Sequence, residues 1–374
     1  MIKLEIKNDP AKVQKLASLL KLAAGSEGDN KAGKAREAIA KFVGPTITQV
    51  LNQQATHRAL FTKYVYDFGS APEIPIDYFD GNDEGLLDVW STSVPGGLAT
   101  NQVVGGEFYR MSTFRLDSAL AMYKSQALQG RFEALTKAIE RMAQEVMLKE
   151  QYQAWATILG ALGGARTNGS AQLIDSKVEG VIQVDDFNTL RTKVSRFRNS
   201  WTGGTPTSSV GRGITHFIIS PEIRGQINSW AYEPQNTRPG SITTSGATAI
   251  PLPDQIRMNI FNQSGLPEIP GIGAFIELRE FGVGQAYNAM FDDAYTPGGG
   301  DPAFNAASDE IVIGIDLSVD GGVQAVASDS DRTTELVLEE DDQWVKRSGK
   351  FGWFGGLETG FGWTDTKTLS GIII

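Results

Sequence analysis

Residues 129–162, QGRFEALTKAIERMAQEVMLKEQYQAWATILGAL, contain no proline, and glycine occurs only near the two ends. Phe132, Leu135, Ile139, Met142 and Val146 form one apolar stripe. It drifts to Leu148, Tyr152, Trp155, Leu159 and Leu162, as a 3.6-residue period requires. The spacing predicts one uninterrupted helix, roughly 50 Å long at 1.5 Å per residue. That exceeds what a compact domain needs, and the drift argues against a straight heptad seam. A spine under a sheet is the expected role.

The rest of the chain divides around this rod. Val13, Leu16, Leu19 and Leu20 fall at helical spacing after Pro10, which suits the first helical position. Gly25 to Gly33 ends that helix, a second runs from about Lys34 to Val43, and Gly44-Pro45 stops it. Short amphipathic pieces on such a segment read as an arm. Residues 67–115 lack helical periodicity, and Ile74, Ile76 and Tyr78, then Glu107 to Arg110, suggest two strands joined by a long loop. Loops of that length are usually functional or disordered. Leu86, Leu87 and Trp90 at the far end need cover from a partner.

Beyond the rod the pattern is mixed. A helix is expected at about 186–199, a buried strand at 215–220, and a further helix opening at Pro221-Glu222. Strand candidates follow at 274–280, 284–290, 310–318, 322–327, 334–339 and 343–354. At 374 residues two or more domains are expected. The 42 glycines favour a β-rich, loop-rich chain over a helical bundle.

The chemistry-bearing residues do not describe an enzyme. No cysteine is present, which excludes disulfides and thiolate metal sites. Two histidines, His57 and His216, give no basis for a zinc site or a His-dependent triad. His216 lies in an apolar strand and reads as structural; His57, among Gln53, Gln54 and Arg58, is expected at the surface. Gly28 to Ala35, GDNKAGKA, approaches a phosphate-binding loop. However, Ala35 replaces the required hydroxyl and no apolar strand precedes Gly28. A phosphate-handling enzyme resting on this segment is the alternative from another functional class. GVGQAY lacks the third glycine of a dinucleotide fingerprint. The acidic runs at 329–331 and 339–342 do not match a calcium-binding loop, so no cofactor and no metal is expected. Met1 to Lys7 alternates charge and aliphatic residues, so no signal peptide is expected there and an intracellular origin is.

Net charge is −10, which argues against general phosphate attraction, yet its distribution is uneven. Residues 1–63 hold eleven Lys/Arg against five Asp/Glu; residues 64–123 hold two against nine, and residues 301–374 five against fourteen. A basic arm beside acidic segments suits DNA or the acidic surface of a neighbouring copy.

Phe351-Gly352-Trp353 recurs as Phe361-Gly362-Trp363, and the chain closes on Ile372 to Ile374. Charged Glu358, Asp365 and Lys367 rule out a membrane anchor. The order of segments, with RSGKFGWFGGLETGFGWTDTKTL from Arg347 to Leu369, resembles the major capsid protein of tailed double-stranded DNA bacteriophages. That α+β fold is shared with encapsulin shells and the herpesvirus capsid floor. The resemblance implies an N-terminal arm at 1–66 and an extended β-hairpin loop at 67–116. It implies a peripheral domain at 117–184 with the spine helix 129–162, an axial α/β domain at 185–304, and peripheral strands with the C-terminal tail at 305–374. The tail aromatics would then pack on the spine, and Ile372 to Ile374 would finish that sheet or touch the next subunit.

The implied function is structural: self-assembly as pentamers and hexamers into an icosahedral virion head around double-stranded DNA, in the host bacterial cytoplasm. An encapsulin-type compartment is the alternative within the fold. Implied partners are other copies, a separate scaffolding protein, a portal and a cement protein; no membrane is involved. Some relatives cross-link through a lysine of the hairpin, but no lysine stands between Lys63 and Lys124, so non-covalent contacts are expected. Leu86, Leu87 and Trp90, and Lys12, Lys15 and Lys21 against a neighbour's acidic loop, are the expected inter-subunit contacts.

Overall fold

The computed structural model describes residues 10–24, 31–41, 56–67, 69–76, 107–129, 132–167, 170–197, 213–230, 268–269, 273–318, 321–328, 337–340 and 349–374. The helices are α1 (Pro10–Ala23), α2 (31–41), α3 (Lys124–Leu128), α4 (Phe132–Gly164), α5 (Val184–Phe197), α6 (Pro221–Ser229) and α7 (Ala286–Ala294). The strands are β1 (Thr62–Asp67), β2 (Glu73–Ile76), β3 (Glu107–Arg110), β4 (Phe114–Tyr123), β5 (Arg166–Thr167), β6 (Ser170–Ala171), β7 (Leu173–Asp175), β8 (His216–Ile219), β9 (Glu268–Ile269) and β10 (Gly273–Glu277). They continue with β11 (Ile311–Ile315), β12 (Gly322–Ser328), β13 (Val337–Glu340), β14 (Lys350–Trp363) and β15 (Leu369–Ile373). The chain forms two compact units: Met1–Glu73, Arg110–Ala154 and Val323–Gly362 make the first; Ile74–Tyr109, Trp155–Gly322 and Trp363–Ile374 make the second. The predicted rod is real, 33 residues long, and passes from the first unit into the second at Ala154–Trp155.

In the first unit β14 is the organising strand. It runs antiparallel to β4 from Lys350↔Tyr123 to Thr359↔Phe114 and to β13, and sits next to β12, whose far edge carries β1 in parallel. Its glycines are explained by crowding. A Cβ on Gly352 would overlap the Leu120 carbonyl oxygen and lie 3.0 Å from Ala121 Cα; one on Gly360 would lie 2.6 Å from the Ser112 carbonyl. Only glycine lets these backbones approach so closely. Between the glycines, Trp353 and Leu357 enter a core with Met122 and with Met142, Ala143 and Val146 of α4. Of the tail aromatics Trp353 meets the spine helix here, whereas Phe361 packs on His57, Phe61 and Phe114.

The basic N-terminal helices enter the same core. Leu20, Ala23 and Ala24, and Ala35, Ile39 and Ala40 of α2, are buried in it. Trp353 Nε1 donates to the Arg36 carbonyl at 3.0 Å, and Arg36 Nε donates to the Ala23 carbonyl at 2.8 Å. The sequence showed the amphipathic faces of these helices but not the sheet that receives them. Trp353→Phe shrinks the buried ring and removes the indole donor to the Arg36 carbonyl, so it is expected to cost about 1–3 kcal/mol. An unchanged urea midpoint would show that the indole N–H contributes nothing to docking.

The second unit is built on a six-stranded mixed sheet, in the order β7-β15-β11-β8-β10-β9. Every residue of β11 (IVIGI) and β15 (LSGII) is buried, which accounts for their unbroken runs of small and aliphatic residues. On one face Phe187, Leu190 and Val194 of α5 and Ile223 and Ile227 of α6 pack against Phe217, Phe275, Val312 and Ile372. Ser220 starts α6: its Oγ accepts from Ile223 N at 3.1 Å and donates to Glu310 at 2.9 Å, with Pro221 next in line. The tail thus divides between two sheets. Ile372 and Ile373 lie in this one, between β7 and β11, and do not extend the sheet on the spine. Because β11 and β15 share a sheet with β8 and β10, the sheet takes strands from both sides of residue 304.

One predicted strand is a helix. Residues 284–290 were expected to be extended, yet α7 spans Ala286–Ala294. Gly282 and Gly284 turn the chain at φ 131° and 72°, and Tyr287 and Phe291, four apart, are buried together on one helical face. A short apolar run cannot distinguish the two periods.

Candidate assembly surfaces

A polar cluster inside the first unit is closed to solvent. Glu150 follows Val146 and precedes Ala154 at steps of four, so the spine's own periodicity carries its carboxylate into the core. Arg58 meets it in a fork, Nε to Oε1 at 3.0 Å and Nη2 to Oε2 at 2.9 Å. Gln324 Nε2 of β12 donates to Oε1 at 2.6 Å, and Thr359 Oγ1 of β14 donates to the Ala325 carbonyl at 3.0 Å. His57, expected at the surface, is fully buried in the 3-10 turn His57–Leu60, 3.7 Å from Glu150 and edge-on to Phe361. Leu60 and Phe61 are buried beside it and draw the turn inward. Burial raises the Glu150 carboxyl, but His57 and the Arg58 guanidinium outweigh it and hold the group below the ordinary Glu range. With all these groups buried, the cluster has no face for a substrate. It pins the turn, the spine and two strands together.

Several apolar side chains among the described residues stay exposed. β2 and β3 form a two-stranded ribbon, and on β3 Phe108 is 64% exposed and Tyr109 39%. Successive strand residues point to opposite faces, so each side of the ribbon presents an aromatic. A two-stranded ribbon is marginal by itself. Leu148 and Tyr152, four apart on α4, are also exposed, as are Tyr64 and Val65 on β1. Leu86, Leu87 and Trp90 lie outside the described residues. Lys12, Lys15 and Lys21 are all on α1, and Lys15 and Lys21 are exposed.

The phosphate-loop resemblance does not survive. Gly33 and Lys34 are inside α2, and the element before that segment is the helix α1, where a strand is required. Among the described residues no cluster of His, Asp or Glu is arranged to hold a metal ion, and no helix is long and apolar enough to cross a membrane. His216 is on β8, with Nδ1 2.9 Å from Thr215 Oγ1, a structural placement.

No family model matches the chain, and no curated protein matches it in sequence. Solved structures do. The capsid of a native GTA particle superposes with a TM-score of 0.50 at 10% identity, over 86% of this chain and 90% of that one. This is an α+β capsid fold. The similarity runs through nearly the whole chain, so the capsid fold includes both units. The chain is also similar to the SrpI encapsulin of Synechococcus elongatus PCC 7942, with 11% identity, 86% and 88% of the two chains covered and a TM-score of 0.47. For the capsid of cyanophage P-SCSP1u the values are 11%, 84% and 86%, and 0.48. The Arg58–Glu150 cluster escaped sequence reasoning because its partners stand 92 and 174 residues from Glu150; the one available signal was a carboxylate in register with Val146 and Ala154.

Proposed function

We propose that this chain is the major capsid protein of an icosahedral phage head, assembling as pentamers and hexamers around double-stranded DNA. The capsid fold extending over 86% of the chain carries the reading. The exposed aromatics on both faces of the β2–β3 ribbon support it, since residues 67–116 then form the extended hairpin, with Leu86, Leu87 and Trp90 seated on a neighbouring copy. Residues 117–184, with the spine helix, and residues 305–374 take the peripheral role, and residues 185–304 pack around the symmetry axes. Without a lysine between Lys63 and Lys124 the hairpin donates no amine, so the shell holds by non-covalent burial, with a cement protein where one is present. Scaffolding and portal proteins complete the set of partners, and the mature location is the virion.

Electron microscopy and sedimentation velocity of the purified chain test this. Closed shells, tubes or hexamer-sized rings are expected, alone or on co-expression with a scaffold; a monomer under both conditions sinks the reading. Nucleic acid inside the particles favours a phage head, and protein cargo an encapsulin-type compartment. Phe108→Ser with Tyr109→Ser is expected to abolish assembly while leaving the thermal midpoint of the subunit within about 2 °C, because exposed substitutions cost little. Normal shells from that variant would remove the ribbon from the interface.

A further inference from the structure

The docking of α1 and α2 on their own core alters what their lysines can do. Leu20, Ala23, Ala24, Ala35, Ile39 and Ala40 face inward, which leaves Lys15 and Lys21 of α1 and Lys34 and Lys41 of α2 exposed on the outward sides. The Arg36–Ala23 hydrogen bond holds the last turn of α1, which carries Lys21, against the middle of α2. In a chain of net charge −10, residues 10–41 carry seven Lys/Arg against three Asp/Glu. We infer that this fixed lysine face binds the phosphate backbone of double-stranded DNA without regard to sequence.

Composition decides between DNA and a neighbour's acidic loop. Protein interfaces are depleted in lysine and anchored by aromatic residues and arginine. Here the sole arginine, Arg36, is buried, and among the side chains described on the two helices Leu22 is the one large apolar group exposed. Lysines spread over two helices suit instead a polyanion with evenly repeated charges, to which each contributes by releasing a counterion. The face also has its own restraint: Glu37 pairs with Lys41 at 2.7 Å, one turn away, and so competes with phosphate for that lysine. The inference rests on the shell reading only in naming DNA as the polyanion.

The test uses the full chain, kept dilute enough to remain unassembled, titrated with a short random-sequence DNA duplex at several salt concentrations. The triple variant Lys15→Ala, Lys21→Ala, Lys34→Ala is expected to lower the slope of log affinity against log salt by about three. Glu37→Gln, which frees Lys41, is expected to raise it by about one. Circular dichroism confirms that both variants fold, and particle formation is followed in parallel. An unchanged slope in the triple variant overturns the inference; if assembly is lost at the same time, the lysines contact a second copy instead. No DNA binding by the parent chain at low salt also overturns it, and leaves the shell reading to stand or fall on microscopy alone.

Discussion

Arg58→Met is expected to cost about 3–5 kcal/mol, because it leaves the Glu150 carboxylate charged, buried and without its fork. A neutral surface change of the same size would cost well under 1 kcal/mol. The double variant Arg58→Met, Glu150→Leu removes the orphaned charge and should recover much of the loss, since apolar replacement of a buried pair is often near neutral. Urea unfolding of the two variants decides the matter. A single variant no less stable than the double would mean that Glu150 is neutral in the folded protein. The pH dependence has a definite sign. Folding holds the Glu150 carboxyl below its ordinary 4.5, so the stability it supplies is fully present above that value. That stability is lost as pH falls through the depressed folded value. Glu150→Gln should therefore flatten the acid limb of the stability curve while lowering stability at neutral pH.

The second large effect is at Gly352. Its α-carbon is so close to β4 that a methyl group would overlap the Leu120 carbonyl oxygen, which belongs to backbone and cannot rotate away. Gly352→Ala is expected to cost about 3 kcal/mol, the upper end for overpacking by one carbon. Gly33→Ala supplies the opposite sign. It lies in α2 with nothing within 4 Å of the added carbon, so it should stabilise by about 0.5–1 kcal/mol. Equal responses at the two sites would show that the tail glycines are not required by crowding.

These two sites mark where the sequence was legible. The spine helix, the strands Glu73–Ile76 and His216–Ile219, and the helix opening at Pro221 could be read because each carries its signal within a few residues. β4 also carried one, the alternation of Phe114, Leu116, Leu120 and Met122 with Arg115 and Asp117, but its importance depends on pairing with a strand more than 220 residues away. The repeated Phe-Gly-Trp of the tail was visible; what the glycines touch was not, since Leu120 and Ser112 are distant in sequence. His57 was misplaced for the same reason. Its polar neighbours are local, whereas Glu150 and Phe361, which enclose it, are not. For assembly, composition pointed to interfaces, and the fold identified which apolar groups remain uncovered.

Strand β15 completes the sheet of the second unit. Gly371 pairs with Leu173 on one side and Ile313 on the other, so the strand between β7 and β11 is made only after both of its neighbours. Until it emerges, the nascent second unit has an open slot lined with unpaired backbone and flanked by aliphatic side chains. Pairings this far apart in sequence form slowly, and an unfilled slot can capture an equivalent strand from a nearby chain. Nascent copies on one polysome are close enough for such an exchange. Slow translation through residues 337–374 would lengthen the window, and a chaperone covering β11 would close it.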